Sequence, residues 1–169
     1  MSFGADKEKI HGLLFDGAWL WEEYLNSILK WDFSHPRNKN KEGKEYLFVD
    51  CNGKNMQEIY PDFISNDKTV VADAKYKHLE YKNEEYERED YFQIITYMYR
   101  FRAKNGFLLF PHPENIFCER YSIVNTDGIL TKLGLAIPQQ ANEYKSFCQK
   151  IAINEKEYTS KLKECCQSL

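Results

Sequence analysis

YPDFISNDKTVVADAKYK, residues 60–77, is written mostly in the residues of β-strands, yet it carries Asp62, Asp73 and Lys75. The arms YPDFIS (60–65) and TVVADAKYK (69–77) meet at SNDK, a link with tight-turn composition, so the stretch reads as a hairpin. Side chains alternate along a strand, which puts Asp73 and Lys75 on one face, and the turn brings Asp62 opposite them. Asp is depleted in strands, but Asp73 stands inside Val70-Val71-Ala72-Asp73-Ala74. Asp62 follows Pro61 at a strand start, a position that tolerates proline. Two carboxylates and a lysine converging on one sheet face make a site for a hard cation. Carboxylate oxygens suit Mg²⁺, which keeps waters for chemistry. The ammonium can orient such a water or stabilise a phosphate under attack. The ordinary alternative is a cross-strand ion pair on a solvated face.

Upstream, GAWLWEEYLNSILK (17–30) has helical spacing at Ala18, Leu25, Ile28 and Leu29, with Asp16 as its N-cap. The basic stretch HPRNKNKEGKE (35–45) has loop composition, and YLFVDC (46–51) reads as a strand. A second helix is expected over about 84–104, capped by Asn83, with Glu84 and Glu85 at the positive end of its dipole and Asn105-Gly106 as its stop. Its apolar stripe is Tyr91, Ile94, Ile95, Met98 and Phe101. FLLF (107–110) and IFCERYSIV (116–124) read as strands, LTKLGLAIP (130–138) as a last edge strand, and a closing helix runs from Gln139 to the end. The order α, β, β, β, α, β, β, α predicts an α/β fold, a mixed sheet flanked by helices.

With 169 residues, 43% of them hydrophobic, the chain has room for one domain with a real core. A net charge of -3 gives no global signature of nucleic-acid binding, so any such contact must be local. The five cysteines at 51, 118, 148, 165 and 166 form no C-x-x-C pair, which points away from zinc and disulfide frameworks. They suit a reducing compartment. The opening MSFGADKEKIHG lacks the pattern of a secretory signal, and no apolar run approaches the roughly 20 residues of a membrane span. A cytoplasmic protein without membrane association is expected.

Pro61-Asp62 followed by Asp73-Ala74-Lys75 resembles the PD-(D/E)xK signature of restriction-endonuclease-like nucleases. The run DAKYK (73–77), then DYFQIITYM (90–98) and LGLAIPQQANEYKSFCQKI (133–151), is similar to the nuclease domain of McrC, a subunit of modification-dependent restriction systems. The resemblance covers about residues 15–165 and implies a single nuclease domain over 1–169 with a restriction-endonuclease-like sheet core. It implies that Asp62 and Asp73 bind a catalytic Mg²⁺, for which Mn²⁺ can substitute, and that Lys75 positions the attacking water. Gln93 matches a glutamine that many such nucleases carry on the helix after the core strands, there contacting the DNA backbone or steadying the site. Tyr97 and Arg100 follow on the same line of that helix and, with Lys77, are candidates to touch DNA phosphates.

Many nucleases of this class also draw an acid from the first helix, where Glu22 and Glu23 are adjacent. Glu22 shares a helical face with Ala18, Leu25 and Leu29, and an acid turned toward a core needs a reason. Glu22 is therefore the expected third metal ligand. Arg37 and the lysines of 35–45 could rim a DNA-binding face, although charge runs are usually solvated loops. His35, His78 and His112 have no partners at metal-ligand spacing and receive no role.

No G-x-x-x-x-G-K-[ST] loop occurs, so no nucleotide motor is encoded here. The resemblance assigns GTP hydrolysis to a separate McrB-like partner. It implies a Mg²⁺-dependent DNA endonuclease, the catalytic part of a McrBC-like restriction system, with a dimer on DNA as one route to double-strand cutting. A repair or junction nuclease of the same fold, and a silent DNA-binding or assembly module, stay open as alternatives.

Overall fold

The computed structural model describes residues 16–36, 42–77, 84–140 and 143–167, with backbone alone at 84–87. Helix α1 (Gly17–Leu29) starts at Asp16, whose Oδ1 accepts the Trp19 backbone N–H at 3.1 Å and so satisfies one of the helix's unpaired donors. Strands β1 (Phe33–Ser34), β2 (Glu45–Val49), β3 (Asn55–Ile59), β4 (Phe63–Ser65) and β5 (Val70–Ala74) precede helix α2 (Glu84–Phe101). Strands β6 (Asn105–His112), β7 (Phe117–Ser122) and β8 (Ile129–Ala136) and helix α3 (Tyr144–Gln167) complete the fold.

Six strands form one mixed sheet in the order β1-β4-β5-β6-β8-β7. The central strands β5, β6 and β8 are parallel, and the outer pairings are antiparallel. Alternation along the strands splits the core into two layers. Val70, Ala72, Phe107, Leu109, Leu133 and Leu135 face α1 and α3, where Trp21, Leu25, Tyr158 and Leu162 meet them. Val71, Leu108, Phe110 and Leu130 face α2, meeting Ile94, Tyr97 and Met98. A sheet with helices on both faces is the α/β architecture expected of a restriction-endonuclease-like core. Among the described residues, no helix is long and apolar enough to cross a membrane.

Several boundaries differ from expectation for physical reasons. LTKLGLAIP is no edge strand: β8 lies between β6 and β7, and its near-continuous burial is that of a strand covered on both faces. The edge falls to β7, whose Glu119 and Arg120 reach solvent. YLFVDC does not join the main sheet. It pairs with β3 in a separate two-stranded ribbon, turned by Asp50, whose Oδ1 accepts from Asn52 N and Lys54 N at 2.8 Å each. The polar sequence NMQEI of β3 buries only Ile59 and so lacks the apolar alternation that announces a strand.

Helix α2 ends at Phe101, ahead of Asn105-Gly106. Arg102, at φ 56°, takes the left-handed position, while Ala103 N donates to Met98 O and Arg102 N to Tyr99 O. Those two bonds close the helix in the Schellman pattern, with arginine where glycine is usual. Gly106 serves packing instead: a methyl carbon there would come within 2.5 Å of Met98 Sδ and 3.0 Å of Ile94 Cγ1. Within the expected apolar stripe, Ile95 is exposed and Tyr97 takes the buried position. Ala18 on α1 is likewise exposed, and Trp21 is buried in its stead. The proposed cap Asn83, the loop residues Arg37, Lys39 and Lys41, and His78 lie outside the described residues, as do the side chains of Glu84 and Glu85.

Candidate active site

The opening hairpin forms. Strands β4 and β5 pair antiparallel with Phe63 opposite Ala72 and Ile64 opposite Val71. Continued by one step, that register sets Asp62 beside Asp73. The Asp62 side chain reaches across to the second arm, where its Oδ2 accepts the Ala74 backbone N–H at 2.8 Å. Asp73 has the parity of Val71, so it points into the α2 layer, and Lys75 follows on the same face.

Asp73 is 2% exposed and ion-paired with Lys75. Lys75 Nζ also donates to Gln93 Oε1 at 2.8 Å and lies 3.4 Å from Asp90 Oδ1. Gln93 Nε2 donates in turn to Tyr97 OH at 2.8 Å, and Tyr97 OH to Tyr60 O at 3.3 Å. Lys75 thus stands at the centre of a network drawn from β5 and one face of α2. Burial, the Asp62 charge and, less strongly, Asp90 push the Asp73 carboxyl up to about 7, against the pull of Lys75. Burial also works against the Lys75 ammonium, but the charges of Asp73, Asp90 and Asp62 outweigh it and raise its pKa. Negative charge is therefore in excess at this spot, and an added cation would relieve it.

The expected residues do not all gather. Glu22 lies on α1, in the layer across the sheet from Asp73 and Gln93, and its Oε1 faces His35 Nε2 at 3.5 Å. Among the described residues, no three His, Cys, Asp or Glu side chains come close enough to enclose an ion. Two neighbouring carboxylates still fit Mg²⁺, which is commonly held by one or two acids and completes its shell with waters and substrate phosphate. Lys77 is ion-paired with Asp90. Tyr97 is buried, bonded to Gln93 and to the Tyr60 carbonyl. Arg100 grips the ribbon, with Nη2 on Glu45 Oε2 at 2.9 Å and Nε on Tyr46 O at 2.6 Å. A cleft of about 360 Å³ opens beside Gln93, walled by Tyr60, Phe92, Thr96 and Tyr97 together with Glu58 and Ile59.

Two residues of the site went unread in the sequence. Asp90, 9% exposed, holds both Lys75 and Lys77; it precedes Gln93 by one helical turn, so the face argument applied to Glu22 would have found it. His35 gave no such signal, because its partners are distant in sequence and one of them is a backbone carbonyl.

The fold is a mixed α/β core whose β4–β5 hairpin carries Asp62, Asp73 and Lys75. The family model described as "McrBC 5-methylcytosine restriction system component" matches residues 1–111, about two-thirds of the chain and all of the hairpin, Asp90 and Gln93. This protein belongs to that family. No curated protein matches it. Among solved structures it is similar to a chain in the Thermococcus gammatolerans complex titled a refined half-complex from a tetradecameric assembly of McrB AAA+ hexamers with bound McrC. The identity is 14% and the TM-score 0.47, over 89% of this chain and 34% of that one. The present chain therefore spans about a third of that chain's length.

Proposed function

We propose that this chain is the DNA-cleaving component of a McrBC-type restriction system, a metal-dependent endonuclease that hydrolyses a phosphodiester bond. The observation that carries the reading is the convergence of Asp62, Asp73, Lys75 and Gln93 at the end of β5, in a chain of the McrBC family. Asp62 and Asp73 would hold Mg²⁺, or Mn²⁺ in its place. The ion would supply neutralisation of charge on the scissile phosphate and acidify a bound water.

The chain's own residues do the rest. Lys75, fixed by Asp73, Asp90 and Gln93, presents a half-buried ammonium that can orient the attacking water or stabilise the phosphate's developing charge. Gln93 holds Lys75 in place from α2 and borders the cleft where a strand could pass. Glu22, the acid expected from α1, stands beside His35 Nε2. A McrB-like GTPase partner and cytoplasmic action follow from the family reading, and pairing of two chains on DNA would supply the two cuts of a duplex break.

Plasmid cleavage in Mg²⁺ or Mn²⁺ against EDTA tests this, with and without a McrB-like partner and GTP, on methylated and plain DNA. Folded Asp73→Ala or Lys75→Ala protein that cuts as well as wild type would refute it. Activity confined to branched or damaged DNA would transfer the site to a repair or junction nuclease.

A further inference from the structure

We propose that His35 is a positioning residue of this site, one that sets Asp62 through its backbone while the α1 acids Glu22 and Glu23 flank its other ring nitrogen. The inference rests on the reading of Asp62 and Asp73 as a metal site. His35 follows β1, and its side chain is 6% exposed. The ring stacks on Phe63, with centroids 5.0 Å apart and planes at 26°. Nδ1 lies 2.8 Å from the Asp62 carbonyl oxygen. A carbonyl oxygen only accepts, so Nδ1 carries the hydrogen. Nε2 then faces Glu22 Oε1 at 3.5 Å and Glu23 Oε1 at 3.8 Å.

The ring therefore sits on the α1 side of the sheet against Phe63, with the α1 acids on one edge and the Asp62 backbone on the other. Asp62 is held at two points: His35 grips its carbonyl, and its Oδ2 takes the Ala74 N–H across the hairpin. Asp62 lies just outside β4, and the histidine holds its backbone there. Together the two bonds set the direction of the Asp62 carboxylate beside Asp73. Removing an outer partner of this kind typically lowers metal affinity about 10–100-fold.

Mn²⁺ titration calorimetry on wild type, His35→Asn and His35→Phe separates bond from packing. Asn keeps an N–H where Nδ1 stands and loses the ring; Phe keeps the stack on Phe63 and loses the donor. The proposal expects Asn within a few-fold of wild type and Phe weaker by about tenfold or more. Phe binding like wild type, or Asn failing as badly as Phe, overturns it while leaving the metal site standing. Wild type that binds no Mn²⁺, or binding that Asp73→Asn leaves untouched, removes the metal reading and this proposal together. A second readout needs no variant at the pair: in ¹⁵N-edited imidazole spectra of the metal-free protein, His35 must carry its proton on Nδ1. A proton on Nε2 alone contradicts the bond.

Discussion

Replacing Asp73 with Asn should change how the metal-free protein's stability depends on pH, and the size of the change follows from the site. Asp73 is 2% exposed, and burial with the neighbouring Asp62 charge raises its carboxyl from the ordinary 3.8 to about 7. The folded protein therefore keeps a proton that the unfolded chain has already released. Wild-type stability falls as pH rises from about 4 to about 7, because the unfolded state is the better acid across that window. With one pKa unit equivalent to about 1.4 kcal/mol, ionising Asp73 between pH 5 and pH 8 costs the native state roughly 2–3 kcal/mol. Asn does not titrate, so the Asn variant should gain about that much on wild type between the two pH values. The Lys75 pair is already contained in that value of about 7, and Lys75 stays charged throughout, so losing the pair adds no further pH dependence. Urea denaturation in EDTA at pH 5, 6.5 and 8 measures the difference. Adding Mg²⁺ at pH 8 should shrink it, by stabilising wild type alone. A wild-type-to-variant gap that stays constant with pH would refute the reasoning.

Three further outcomes follow from the geometry. Lys75→Ala should cut Mg²⁺-dependent DNA cleavage about 100-fold or more in a plasmid-nicking assay, since it removes the ammonium on which Asp73, Asp90 and Gln93 converge. Gly106→Ala should destabilise by about 1–3 kcal/mol in urea unfolding, because the added methyl meets Met98 and Ile94 at the α2–β6 seam. Arg100→Ala should leave the core intact but raise hydrogen exchange of the β2–β3 ribbon amides, as its bonds to Glu45 and the Tyr46 carbonyl tie the ribbon to α2.

The hairpin that carries Asp62, Asp73 and Lys75 was legible because its signal is local. Period-two alternation, a tight turn and acids inside an apolar run together predict which residues share a face, and the Asp62 bond to Ala74 N realises that pairing. Gln93 was legible by resemblance and by its place on α2. What the sequence hid depends on contacts between distant segments. LTKLGLAIP looked peripheral because strand order is set by three-dimensional packing, which placed β8 between β6 and β7. The usual helix stop Asn105-Gly106 was diverted to a close approach against Met98, leaving Arg102 to end α2. Glu22 was expected as a core-facing acid of α1 and a metal ligand; it is partly buried, but α1 packs on the sheet face opposite α2, a tertiary fact the sequence does not carry. His35 was invisible because a backbone carbonyl leaves no residue-type signature.

The central claim is that Asp62 and Asp73 share a divalent cation. Anomalous scattering from crystals grown with Mn²⁺ tests it most directly. The account predicts an anomalous peak between the two carboxylates, at about 2.0–2.2 Å from an oxygen of each, that disappears in Asp73→Asn. Well-ordered Asp62 and Asp73 side chains with no such peak, at Mn²⁺ concentrations that support cleavage, would contradict it.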